Sequence, residues 1–200
     1  MLDERFVIAG VILSLVGGLK YLIDTVKGKT QPNKVTWFLW ALAPLIAFAA
    51  EMKEGVGMQS LMTFIVGFNP LMIFLASFIN RKSTWKLSSF DIICGGLSVL
   101  GLVLWQITKV GNLAIALSLA ADGLAGVPTI VKAYRAPETE SDLLYLLTGI
   151  NAIITLATID NWNFAHFAFP VYILLLCLLL FILVRFRIGR RREVQGNMVK

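Results

Sequence analysis

Charge is scarce in this 200-residue chain: 15% of the residues are Asp, Glu, Lys or Arg, against 58% apolar ones. Soluble folds carry about a quarter of their residues as charges, so an ordinary soluble domain is excluded. Cysteine is scarcer still. Cys94 and Cys177 each sit inside an apolar run, too few for a disulfide scaffold or a thiolate metal site, and read as buried free thiols. One histidine, His166, is present, with no H-E-x-x-H, no G-x4-G-K-[ST] and no nucleophile elbow. A retinal protein is excluded because residues 161–184 contain no lysine. No enzyme, metal or cofactor is expected. Met1-Leu2-Asp3-Glu4-Arg5 is acidic where a secretory signal is basic, so the first apolar run is expected to remain in the mature chain.

What the chain does have is length without charge. Residues 6–19, 35–50, 55–80, 92–108, 143–159 and 161–184 are uncharged, and a spanning helix needs ~20 mostly apolar residues. The runs are apolar on every face, which excludes the alternating strands of a β-barrel. Seven helices are predicted over 5–26, 34–51, 57–80, 88–108, 111–132, 140–159 and 163–186, giving an all-α polytopic membrane protein. Asp122 interrupts the fifth. With the N-terminus outside, fifteen of the eighteen basic residues fall on the inner side, leaving Arg5, Lys53 and Lys109 outside. Such a bias places the C-terminus in the cytoplasm and the chain in the plasma (inner) membrane. The net charge of +6 sits beside spans, so lipid rather than nucleic acid is the expected partner. The tail 188–200, with Arg185 and Arg187 just ahead of Arg190-Arg191-Arg192, reads as a cluster for anionic head groups. A homo-oligomer stays open.

A shift of 105 residues lays Val26-Lys27 and Pro32 on Val131-Lys132 and Pro137, Thr36 on Ser141, and Trp40 on Tyr145. With five residues fewer in between, Pro70 falls on Pro170. Helices 1–3 therefore match helices 5–7, and the odd connector brings the second copy back the same way up. The expected units are two parallel three-helix bundles, 1–87 and 111–187, joined by a linker helix, 88–110. Repeats of this kind hold a site at their interface near the bilayer midplane.

This three-plus-one-plus-three layout, with the segment Gly126-Val127-Pro128-Thr129-Ile130-Val131 followed by Ser141, resembles the SWEET sugar transporters and the wider PQ-loop superfamily. Asn69, in Gly67-Phe68-Asn69-Pro70, falls where sugar-carrying members place a substrate-contacting asparagine. The chain departs from that pattern at Ile23-Asp24 in the first copy and at Phe169, the counterpart of Asn69. Trp37-Phe38-Leu39-Trp40 is similar to part of the W-x2-W motif of nicotinamide riboside transporters, with Pro44 in place of a following asparagine. The resemblance implies a transporter for a small polar solute (sugar, vitamin/nucleoside or amino acid), working by alternating access. A non-transporting PQ-loop-like membrane receptor or scaffold is the alternative.

Polar residues at membrane depth are the candidate site. Asp122 is the single acid in the middle of a span, where a charge costs ~2.5–3.5 kcal/mol. Either it lines a central cavity and meets solute or proton, or it fixes helix packing. Asn69 and Asn151 are at mid-depth and either bridge helices or touch solute. Trp40 and Tyr145, paired by the repeat, read as interfacial anchors or an inner gate. His166, in the outer part of the last helix, reads as a packed residue or a proton acceptor. Pro44, Pro70, Pro128 and Pro170 would bend their helices and serve as hinges.

Overall fold

The structure is a computed structural model that describes residues 2–80, 85–108 and 111–189. It is built from α1 (Phe6–Val26), α2 (Lys34–Lys53), α3 (Ser60–Ala76), α4 (Ser89–Thr108), α5 (Gly111–Arg135), α6 (Asp142–Thr158) and α7 (Phe164–Phe186), with no strand among the described residues. Five helices are long and apolar enough to cross a membrane: α1, α2, the run Gly57–Ala76, Ile115–Arg135 of α5, and α7. Asp142–Thr158 and the stretch Ser89–Leu100 are apolar but shorter. This is the build of a helical, membrane-embedded protein. Expectations that fell on residues 81–84 and 109–110, and on the basic tail from 190 to 200, lie outside the described residues.

Several bounds differ from the sequence expectation, among them that α3 begins at Ser60 rather than 57, after a 3-10 turn over Gly57–Gln59. α3 stops at Ala76 rather than 80, where the Ser77 hydroxyl donates to the Phe74 carbonyl (2.6 Å) and turns the chain locally. α5 runs past 132 to Arg135, and Pro137 stops it. Pro137–Thr139 forms a 3-10 turn, so α6 begins at Asp142 rather than 140. α2 continues beyond 51 to Lys53 and takes Glu51 inside the helix. Beyond it the reversal uses Gly55 (φ 76°) and Gly57 (φ 70°), a left-handed geometry that side chains resist.

In lipid every backbone N–H and C=O must be satisfied within the segment, so uncharged runs become helices. What then packs is decided by small and polar residues. Along α1, Phe6, Ile8, Ile12, Val16, Leu19 and Ile23 are exposed, while Val7, Gly10, Ser14, Gly17, Gly18 and Tyr21 are buried. The greasy stripe faces outward and the small, polar stripe faces protein. A Cβ on Gly17 would stand 3.1 Å from the Leu144 Cα, so α1 and α6 meet backbone to backbone there. α1 packs on α6, and α2 packs on α5. α3 lies against both α1 and α2, and α7 lies against both α5 and α6. α4 runs along α5 and also touches α2.

Helix ends are tied by side chains. Asn33 caps α2, its Oδ1 accepting from the Val35 and Thr36 amides (3.1 and 3.3 Å), and its Nδ2 donates to Asp91 of α4 (2.7 Å). Ser88 and Asp91 cap the start of α4 reciprocally, Ser88 Oγ donating to Asp91 Oδ2 at 2.6 Å and accepting from the Asp91 amide at 3.3 Å.

Candidate functional site at the centre of the bundle

A cavity of about 50 Å³ lies where α2, α3, α5, α6 and α7 meet. Asn69, Asp122, Trp40 and Tyr145 all line it, with Trp37, Thr148 and Pro70 beside them. Four of the six sequence-predicted site residues therefore converge. Asp122 is 1% exposed, and Tyr172 of α7 donates its hydroxyl to Oδ2 at 2.6 Å. Oδ1 is buried with no hydrogen-bond partner. The backbone carbonyl of Asp122 accepts from the Trp40 indole N–H (3.1 Å), and the Thr36 hydroxyl donates to the Ala125 carbonyl (2.8 Å). Gly126 lets the Trp40 ring lie on α5, since a Cβ there would come within 3.1 Å of it. Trp37 stacks obliquely on Tyr21 (4.6 Å) and edge-on to Trp40 (5.5 Å), and its own indole N–H is buried without an acceptor.

Asn69 reaches across to α1, its Nδ2 donating to the Ser14 carbonyl (2.9 Å) and within 3.3 Å of Ser14 Oγ. Ser14 in turn shares a hydrogen bond with Thr148 of α6 (3.1 Å), completing a polar chain over three helices. This is possible because residue 18 is glycine: a Cβ there would be 2.4 Å from the Asn69 carboxamide. Asn69 thus bridges helices and lines the cavity at once. Asn151 does not line it. It packs against Gly10 of α1, where a Cβ would be 2.3 Å from its Oδ1, and both of its side-chain polar atoms lack partners.

One end of the bundle, rich in Lys and Arg, is closed by a buried network that sequence reasoning missed. Lys132, at the end of the predicted fifth helix where a cation is expected to meet water, is 1% exposed and pairs with Glu140 Oε1 at 2.5 Å. Glu140 Oε2 accepts hydroxyls from Tyr21 of α1 (2.9 Å) and Tyr145 of α6 (2.6 Å). Lys132 also donates to the Gln31 carbonyl and stands 5.2 Å from the Trp85 ring centre. The Gln31 amide donates to the Thr139 carbonyl (3.0 Å), so the turns after α1 and α5 are laced together. Tyr145 belongs to both the cavity wall and this network.

The far end is different. A recess of about 340 Å³ is lined by Glu4, Gln59, Thr158, Asp160 and His166 among others. His166 sits there, not at the centre, its Nδ1 2.7 Å from Asn163 Oδ1, which also caps α7. Glu51 is 1% exposed near that end, with Thr63 donating to Oε1 (3.0 Å) and Oε2 unpartnered. Pro44, Pro70, Pro128 and Pro170 lie inside α2, α3, α5 and α7. Among the described residues no group of His, Cys, Asp and Glu could hold a metal ion. No family model, no curated protein and no solved structure matches this chain.

Proposed function

We propose that this chain is a membrane carrier for a small polar solute, built on the SWEET or PQ-loop plan and working by alternating access rather than by enzymatic chemistry. The observation that carries the reading is the convergence of Asp122, Asn69, Trp40 and Tyr145, from four helices, on one small cavity, with an Asp122 carboxylate oxygen buried without a partner. Buried polar atoms are normally satisfied, and an orphan facing a cavity marks a place for a ligand or water.

The helix contacts support the repeat. Exchanging α1, α2 and α3 for α5, α6 and α7 maps them onto themselves: the third helix of each set packs on the other two, and α1 on α6 is matched by α2 on α5. We read this as two parallel three-helix units, 1–87 and 111–187, joined by α4. A cavity of about 50 Å³ is far below the ~300–1,000 Å³ of ligand pockets, and we read it as the contracted form of the carrier's solute site. The Lys132–Glu140 network shuts the basic end, and the wider recess is opposite. In the proposed orientation the basic end is cytoplasmic, and the four prolines supply the bends about which the units rock.

Proteoliposome uptake of labelled sugars, amino acids and nucleosides tests the proposal. Saturable uptake that Asp122→Asn abolishes while thermal unfolding stays cooperative supports it. No uptake across the panel, with specific capture of a protein partner, would favour the receptor or scaffold instead.

A further inference from the structure

We infer that the central cavity takes a cationic ammonium head group, with Asp122 Oδ1 as its counter-anion and the Trp37 and Trp40 indoles as its wall; this rests on reading the cavity as the solute site. Three observations lead there. The first is the absence of a counter-charge: among the described residues no Lys, Arg or His lines the cavity, and the next cation along α5, Lys132, is ten residues or ~15 Å farther on and engaged with Glu140. A buried carboxylate stays an anion only beside a positive partner, and a neutral hydroxyl meets the lone pair without meeting the charge. The second is the chemistry of the wall. Trp37, Trp40 and Tyr145 are among the side chains whose ring faces attract cations within about 6 Å, most strongly when water is excluded.

The third is size. A water-sized group needs ~10–15 Å³ of cavity space, so a cavity of about 50 Å³ admits a head group of about four heavy atoms and no sugar ring. On the same wall the Trp37 indole N–H lacks an acceptor. A small amine with an adjoining oxygen, such as an amino alcohol, fills both vacancies together: its ammonium meets Asp122 Oδ1 and its oxygen meets Trp37 Nε1. Tyr172 holds Oδ2 throughout, which fixes the carboxylate plane.

The test uses the full chain purified in detergent, with ethanolamine as the probe, ethylene glycol as its neutral isostere, and sodium chloride at matched ionic strength. Thermal unfolding and tryptophan fluorescence are read over a titration of each. Ethanolamine is expected to raise Tm saturably while ethylene glycol and sodium chloride do not, and Asp122→Asn is expected to weaken the effect at least tenfold. Should Asp122→Asn fail to fold, Trp40→Phe, expected to weaken ethanolamine severalfold, and Gly96→Ala, which is outside the cavity lining and is expected to retain binding, carry the test. An equal response to ethylene glycol overturns the assignment in favour of a neutral ligand. A response fully reproduced by sodium chloride overturns it in favour of an inorganic cation. No ligand response, with a pH-dependent Tm that Asp122→Asn removes, overturns it in favour of a proton alone. Saturable uptake of a neutral solute without an ethanolamine effect sinks the ammonium site and leaves the carrier standing. Ethanolamine binding without transport of any solute does the reverse.

Discussion

Lys132 and Glu140 form an ion pair with no exposed side-chain surface, and its energetics can be worked from its surroundings. Removing one partner of a buried pair costs about 3–5 kcal/mol, because the other charge is stranded. Neither residue would be stranded bare here. After Lys132→Met, Glu140 keeps the Tyr21 and Tyr145 hydroxyls, and after Glu140→Gln, Lys132 keeps the Gln31 carbonyl. Each single change is therefore expected near the lower bound, about 3 kcal/mol. The double variant buries no charge, and glutamine still offers an oxygen to both tyrosines. Its expected cost is about 1–2 kcal/mol, against the about 6 kcal/mol of simple addition, a coupling of about 4 kcal/mol. Reversible unfolding in mixed micelles, followed by tryptophan fluorescence, measures all three. The pair Arg185–Asp142 (3.4 Å) is an internal control: its side chains are 63% and 36% exposed, and Arg185→Ala should cost under about 0.5 kcal/mol. Additive single effects, or single effects as small as that of Arg185→Ala, would refute the account of a sealed pair.

Two further outcomes follow from the packing. Gly18→Ala drives a Cβ into the Asn69 carboxamide and should cost about 1–3 kcal/mol, partly recovered by Asn69→Ala in the same chain; Gly96→Ala, which meets nothing within 4 Å, should be neutral or stabilising by up to about 1 kcal/mol, both read by thermal unfolding. Asn33→Ala removes the α2 cap and the bond to α4 together and should cost about 2 kcal/mol, while Asn33→Asp keeps the cap but sets a second carboxylate against Asp91 and should not restore the wild-type midpoint.

The helices were legible because lipid demands long uncharged runs, and Asp122 and Asn69 stood out as an acid and a strongly polar amide at membrane depth. The same contrast hid the rest. Tyr172 counts as one more aromatic in α7, and nothing local marks it as the partner of Asp122, fifty residues away. Lys132, Glu140 and Glu51 lie near helix ends, where charges normally meet water, so their burial is a tertiary fact. The repeat alignment pairs Lys27 with Lys132, yet Lys27 is exposed and Lys132 is enclosed. Glu140, the partner of Lys132, corresponds to Val35 in the first copy, so Lys27 has no matching carboxylate. Asn151 and His166 were singled out for polarity at depth, which does not specify the direction a side chain points. Asn151 turns to α1, and His166 turns to the far recess.

The meeting of Tyr21, Lys132 and Tyr145 at one carboxylate has a consequence for biogenesis. Tyr21 and Glu140 are separated by 119 residues, so the first helix enters the bilayer long before its hydroxyl has anything to bind. Until the later segments leave the ribosome, that end of the nascent chain stays unlatched, and Tyr21 has neither Lys132 nor Glu140 beside it. Closure is then a single late event that draws in distant parts of the chain together, and quality-control proteases acting at the membrane surface would find their substrate in the interval before it.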